Sequence, residues 1–236
     1  MYPYADRTIT VSKEAAEDLS HFIGLNRGEI DVIYNPVIGP NVKGKMEKSV
    51  DHPWFSDESI PVILGVGRLL EQKDFPTLIQ AFAKLRTSRS SRLVILGEGD
   101  RRPFLEDCVE RLGLSEHVWM PGFKPNPLKY MANADVFVLS SKREGLGNVL
   151  IEAMACGTPV VSTDCKSGPS EILKGGEYGR LVPVGDSSAL AAAIEEALDG
   201  HVSPAPRSAL DRFRRDKVAE QYLDTLSNAA QGCREH

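Results

Sequence analysis

No stretch of this 236-residue sequence is apolar for long enough to cross a bilayer as a helix: runs such as "ALAAAI" (189–194) fall far short of the roughly 18 residues required. The opening "MYPYADRT" has no basic segment followed by an apolar one, so it does not read as a secretory signal. The four cysteines, Cys108, Cys156, Cys165 and Cys233, form no C-x-x-C pair, and with only five histidines they make no zinc-type spacing. Unpaired thiols in a reducing cytosol are therefore expected. A basic face interleaved with aromatics is also missing. Net charge is −5 with the cations spread through the chain, which argues against nucleic acid as a partner. The densest basic cluster, "DRFRRDK" (211–217), carries its own acids and reads as a solvated helix face. Internal repeats and low-complexity segments are absent too.

What the chain does have is apolar content of 42%, enough for a sizeable core, in a regular order. "TITVS", "IDVIY", "PVILGVG", "RLVILGEG", "HVWMPGF", "DVFVLSS", "TPVVSTD" and "GRLVPVG" read as strands. Helical patterns lie between most of them; in "FPTLIQAFAKL", for example, Phe75, Leu78, Ile79, Phe82 and Leu85 keep helical spacing. Strand, helix, strand repetition implies right-handed crossovers and an α/β fold, a Rossmann-like parallel sheet with helices on both faces. Ligands of such sheets bind where strand ends lead into helix N-termini. Residues 39–59, rich in Gly, Pro, Lys and Asp, read as a linker, and residues 207–231 as one long helix. The chain thus reads as starting inside a βα unit, a single unit unable to bury both faces of its strand, so an N-terminal partner domain is expected.

Four strand-to-helix junctions converge on one sheet edge. In "GVGRLLEQKDF", Gly67 ends a strand and Arg68 and Lys73 follow; the pair suits a diphosphate, the alternative being surface pairing with Glu71 or Asp74. "LGEGD" (96–100) is a Gly-x-Gly turn of the kind any tight junction uses. In "WMPGFKPN" (119–126), Phe123 either flanks a base or plugs the core. In "SKREGLGNVLIEAMACGTPVVSTD" (141–164), Gly145 and Gly147 expose amides before a helix whose N-terminus is a natural anion site. Glu144 would project beside the anion, and Glu152, eight positions on, lies deeper in the helix. Both suit sugar hydroxyls; the alternative is two ordinary helix-end acids. The histidines, His21, His52, His117, His201 and His236, lie outside these loops.

The segment 140–164 resembles the E-x(7)-E signature of retaining glycosyltransferases of family 4, whose GT-B architecture sets two Rossmann-like domains across a cleft. "GVGRLLEQK" resembles that family's Gly-Arg-x(4)-Lys loop, and "SGPSEIL" its Gly-rich segment ending in a glutamate, here Glu171, with Ser167 in place of the first glycine of a Gly-Gly pair. The resemblance implies a division into residues 1–38 from an acceptor domain, linker 39–59, donor-binding domain 60–204, and a C-terminal helical stretch 205–236 packing back toward the first domain. It implies that Arg68 and Lys73 hold the donor diphosphate, that Glu144 contacts the transferred sugar and Glu152 the ribose. Backbone amides around Gly145, Leu146, Gly147 and Asn148 would cradle the phosphates, Gly67 and Val149 would also bind the substrate, and Phe123 and Lys124 would face the base.

No Asp-x-Asp triplet occurs, so no metal is expected and no cofactor beyond the nucleotide-sugar substrate. The implied function is retaining transfer of a hexose or N-acetylhexosamine from a nucleotide sugar, by expectation UDP-linked, to a glycan or lipid-linked acceptor in cell-surface polysaccharide synthesis. The expected location is cytoplasmic, with peripheral contact at the inner face of the membrane if the acceptor is lipid-linked. Two alternatives stand beside it: a nucleotide-sugar binding module without transfer activity, and a nucleotide-sugar epimerase.

Overall fold

Short apolar strands alternating with amphipathic helices fold into a parallel sheet covered on both faces. The structure is a computed structural model that describes residues 5–232; the first four residues, Cys233 and His236 lie outside the described residues. At the front, β1 (Thr8–Thr10), α1 (Lys13–Ile23) and β2 (Ile30–Val32) form a βαβ unit whose strands pair in parallel, Thr8 opposite Ile30. Ser12 caps α1 by accepting the Ala15 amide at 3.2 Å.

After α2 (Val42–Met46) the main sheet begins with β3 (Val62–Val66), α3 (Phe75–Leu85), β4 (Arg92–Leu96), α4 (Arg102–Arg111) and β5 (Val118–Gly122). It continues through α5 (Leu128–Ala132), β6 (Val136–Leu139), α6 (Asn148–Ala155), β7 (Val160–Thr163), α7 (Pro169–Ile172), β8 (Arg180–Val182) and α8 (Ser187–Leu198). The last helix is α9 (Arg215–Gly232). Each of the eight segments read as strands contains one of these strands.

The six strands of the main sheet run in the order β5-β4-β3-β6-β7-β8, every pairing parallel. Side chains alternate between faces along each strand. Ile63, Leu93, Ile95, Val136, Val138 and Val161 join a core shared with α3, α4 and α8. Val62, Leu64, Val94, Leu96, Phe137, Leu139 and Val160 join a second core shared with α5, α6 and α7. Burial on both sides is why these strands read as continuous apolar runs rather than as alternating ones.

Two segments differ from the sequence reading. The stretch 39–59, expected to be a linker, packs down onto the domain through α2 and a 3₁₀ turn at Pro53–Phe55. His52 stacks on Trp119 of β5 with ring centroids 3.8 Å apart, and Phe55 meets Tyr130 edge-on. Its few aromatic rings carry enough apolar area to outweigh the polar composition around them. The stretch 207–231, expected as one helix, is a 3₁₀ segment at Arg207–Phe213 followed by α9, with Arg214 extended between them at ψ 138°. The break buries Phe213 completely and lets the chain pair with Ile38: the Ile38 amide donates to the Phe213 carbonyl at 3.0 Å, and the Arg215 amide to the Ile38 carbonyl at 2.9 Å.

The βαβ unit is tied to the main domain by carboxylates on both sides. Glu171 of α7 accepts the Lys13 amide at 3.0 Å and the Tyr34 hydroxyl at 2.5 Å, and Glu14 of α1 accepts the Ser167 amide. Burial and the neighbouring Glu171 push the Tyr34 hydroxyl pKa up to about 12. Ser167 itself stands in the left-handed region at φ 65°, where a β-carbon is unfavourable. Its amide carries the contact to Glu14, so glycine there would keep the bond and shed the strain. Ser167→Gly is expected to raise stability by up to about 1 kcal/mol, the left-handed penalty less the added freedom of the unfolded chain. A denaturant midpoint at or below that of the parent would overturn this.

Candidate active site

The strand order creates one crevice. From β3 the chain moves outward to β4 and β5 with α3 and α4 on one face; from β6 it moves the other way to β7 and β8 with α6 and α7 on the opposite face. The loops leaving β3 and β6 therefore diverge at the carboxyl end of the sheet, the topological switch point at which α/β sheets take ligands. These are the loops that carry Gly67, Arg68 and Lys73, and Glu144, Gly145 and Gly147.

The two loops are bound to each other. Ser140 Oγ donates to the Lys73 carbonyl at 2.8 Å, the Lys142 amide to the Gln72 carbonyl at 2.8 Å, and Gln72 Nε2 to the Arg143 carbonyl at 2.8 Å. At their centre Lys73 Nζ donates to Glu144 Oε1 at 2.6 Å, a pair whose side chains are only 16% and 9% exposed. Ser141 Oγ donates to that same oxygen at 2.6 Å. No described residue bonds Oε2. The sequence reading set Lys73 on the diphosphate and Glu144 beside it on the transferred sugar; in this structure the two side chains bond each other. The sequence alone marks Ser140 and Ser141 as the end of a strand; the available signal is a serine doublet whose second member stands three residues ahead of Glu144.

Arg68 is exposed on a cleft of about 500 Å³ lined also by Gly67, Glu98, Phe123, Lys124 and Pro127. The alternative of pairing with Glu71 or Asp74 is not realised. Lys142 lies 4.0 Å from Glu71 and 3.8 Å from Asp74, and Thr77 Oγ1 donates to Asp74 at 2.8 Å, so Arg68 has no ion-pair partner among the described residues. Phe123 is 72% exposed and plugs no core. The Gly-x-Gly turn after β4 supports this wall: Gly97, at φ 144°, comes so near that a β-carbon would lie 1.8 Å from the Gly67 carbonyl oxygen. The Gly67 amide in turn donates to the Leu96 carbonyl at 2.9 Å.

At α6, Gly147 turns the chain at φ 90° and no side chain caps the helix, leaving first-turn amides uncapped. Leu146, expected to act through its backbone alone, buries its side chain in the core. Asn148 Oδ1 accepts Asn35 Nδ2 at 2.9 Å, and Val149 packs partly buried against the core beneath. Glu152 is not brought to the Arg68 cleft. It lines a separate cavity of about 140 Å³ with Asn41, Lys45, Leu128 and Arg215, neighbouring the cleft through the adjacent Pro127 and Leu128. It accepts no hydrogen bond from a described residue, and burial raises its carboxyl pKa, opposed by Lys45. The linker residues of this cavity, Asn41 and Lys45, were not anticipated from sequence. Among the described residues no group of three or more His, Cys, Asp or Glu side chains is arranged to hold a metal ion, and no helix is long and apolar enough to cross a membrane.

Comparison with known proteins identifies the family and the fold. A Campylobacter jejuni protein is 36% identical over 199 residues, covering 84% of this chain and 52% of its own length. It is named as the 4-alpha-N-acetylgalactosaminyltransferase of N-acetylgalactosamine-N,N'-diacetylbacillosaminyl-diphospho-undecaprenol. The Rhizobium meliloti lipopolysaccharide core biosynthesis glycosyltransferase LpsE is 36% identical, with 71% of this chain and 50% of that protein covered. The chain thus spans about half the length of these curated relatives. The crystal structure of Anabaena HepE in complex with UDP-glucose superposes with a TM-score of 0.80 at 25% identity, covering 95% of this chain and 64% of that one. The sheet, covered by helices on both sides, is the Rossmann-like sheet of GT-B glycosyltransferase structures. Residues 48–213, which span both loops of the crevice, match the family model described as glycosyl transferases group 1, and the chain belongs to that family of sugar-transferring enzymes.

Proposed function

We propose that the chain is the donor-binding part of a retaining, metal-independent transferase of family 4, moving a hexose or N-acetylhexosamine from a UDP-linked donor to a glycan or lipid-linked acceptor in cell-surface polysaccharide synthesis. The observation that carries this reading is the joined Lys73–Glu144 pair at the switch point, flanked by the cationic cleft of Arg68 and Lys124 and by the uncapped N-terminus of α6. The UDP-glucose held by the Anabaena structure and the undecaprenol diphosphate acceptor in the Campylobacter name support the donor and acceptor classes. An acceptor of that kind would bring the enzyme to the inner face of the cytoplasmic membrane.

In transfer, the bond between the anomeric carbon and the β-phosphate oxygen breaks and its electron pair leaves on the diphosphate. The acceptor oxygen bonds to the carbon and its proton passes to the departing diphosphate oxygen. Charge on the departing phosphate is the main demand, and Arg68, Lys73 and the α6 amides meet it without a metal. Glu144, held through Oε1, offers Oε2 to hydroxyls of the transferred sugar. Phe123 and Lys124 take the base. Glu152 takes the ribose diol, for which a carboxylate with no hydrogen-bond partner among the described residues is suited.

Full-length enzyme assayed in EDTA is expected to turn over, and Arg68→Ala and Lys73→Ala are each expected to lower that turnover by about a hundredfold or more, the scale of a lost charge stabiliser. Near-parent rates in both variants, or loss of parent activity in EDTA, would overturn the assignment. UDP should raise the melting temperature of this chain, since at a hundred times Kd binding adds about 2.7 kcal/mol. A melting curve unmoved by millimolar UDP, GDP and ADP contradicts the reading.

Glu152 allows a test by pH. Because its folded-state pKa is raised, its ionisation weakens the fold, a penalty complete above that raised value and gone once pH falls to the ordinary glutamate range. Glu152→Gln should therefore melt above the parent at pH 7, with the gap closing as the solution is acidified, and should bind UDP more weakly. A variant that melts lower at pH 7, or binds UDP as tightly as the parent, speaks against a carboxylate reserved for ligand.

A further inference from the structure

Ser141 lies just past the end of β6 with no solvent exposure at all. Its hydroxyl has one acceptor, Glu144 Oε1 at 2.6 Å, three residues along the chain. Its carbonyl has a separate anchor, since Thr163 Oγ1 of β7 donates to it at 2.6 Å. The backbone at Ser141 is therefore held from β7 whether or not the hydroxyl is present. The neighbouring Ser140 faces the other loop and holds the Lys73 backbone.

Resting on the function proposed above, we infer that Ser141 is a positioning residue for the transfer reaction: its hydroxyl holds Glu144 Oε1 so that Oε2 meets the sugar. The reasoning concerns what happens to Glu144 when a donor arrives. Lys73 and Ser141 share Oε1 in this structure. A diphosphate competes for the Lys73 ammonium, a flexible point charge that moves toward the stronger anion. Ser141 is neutral, short and buried, so no phosphate draws it away, and it remains the side-chain restraint on the carboxylate. Misplacing that carboxylate costs rate, because the orientation of groups around the reacting centre is part of the barrier.

Full-length Ser141→Ala, Glu144→Gln and the double variant test this by kcat, donor KM, UDP affinity and melting temperature. Ser141→Ala is expected to lower kcat by between about tenfold and a hundredfold, the span of a hydrogen bond to a charged group, with UDP affinity held within about twofold. In the Glu144→Gln background the serine substitution should have no further effect, because its influence runs through that carboxylate. Parent-like kcat in Ser141→Ala overturns the inference, as do additive losses in the double variant or a parallel collapse of UDP affinity and melting temperature. Parent-like turnover in Glu144→Gln alone would instead refute the reading of the site, and this inference with it.

Discussion

Lys73 and Glu144 are 71 residues apart in the chain and share one proton-rich contact at the bottom of the crevice. An exposed ion pair is worth at most about 1 kcal/mol, because water already satisfies both charges. This pair is mostly shielded, so each member is the other's main compensation, and removing one from such a setting costs about 3–5 kcal/mol. Three hydrogen bonds between the same loops, all through backbone groups, make the contact a fixed arrangement rather than a transient one. Two loops from opposite directions of the sheet behave as one wall.

That wall depends on the fold at every level. β3 and β6 pair directly, Ile63 beside Val136, so their carboxyl ends are neighbours before any side chain is considered. The departure of α3 and α6 to opposite faces opens the space between them. The close approach of Gly97 to the Gly67 carbonyl fixes the outer side, and the front βαβ unit, held by Glu171 and Glu14, sits over the loop following β7. The paired segments at Ile38 and Arg214 join the front unit to the domain through two stretches of chain that bond to each other, so neither moves alone.

Much of this was legible in the sequence, and the reasons are physical. Strands buried on both faces must be continuously apolar, and the helical stripe of Phe75, Leu78, Ile79, Phe82 and Leu85 buries as its spacing requires. The convergence of the Arg68 and Glu144 loops followed from the rule for strand ends. The direct bond between Lys73 and Glu144 did not, because it is set by the order of strands in space, which the chain order leaves open. The packing of residues 39–59 was hidden because His52 and Trp54 find their partner, Trp119, on β5 and Phe55 finds Tyr130 on α5, some 65 to 75 positions away. The break at Arg214 was equally hidden, since a helical pattern continues through it and only the pairing with Ile38 explains why the helix gives way.

A chain of net charge −5 nonetheless presents a cationic cleft, and local partner choice accounts for it. The acids nearest to Arg68 in sequence, Glu71 and Asp74, are both drawn to Lys142. Glu98, the carboxylate on the cleft wall, is taken by Arg102 at 2.8 Å. Arg68 and Lys124 are thereby left without acidic partners among the described residues, and the uncapped start of α6 adds partial positive charge. At physiological ionic strength charges more than about 8 Å away through solvent are largely screened, so distant acids scarcely weaken this field. An anion at the crevice therefore meets the few unpaired cations rather than the protein's net charge.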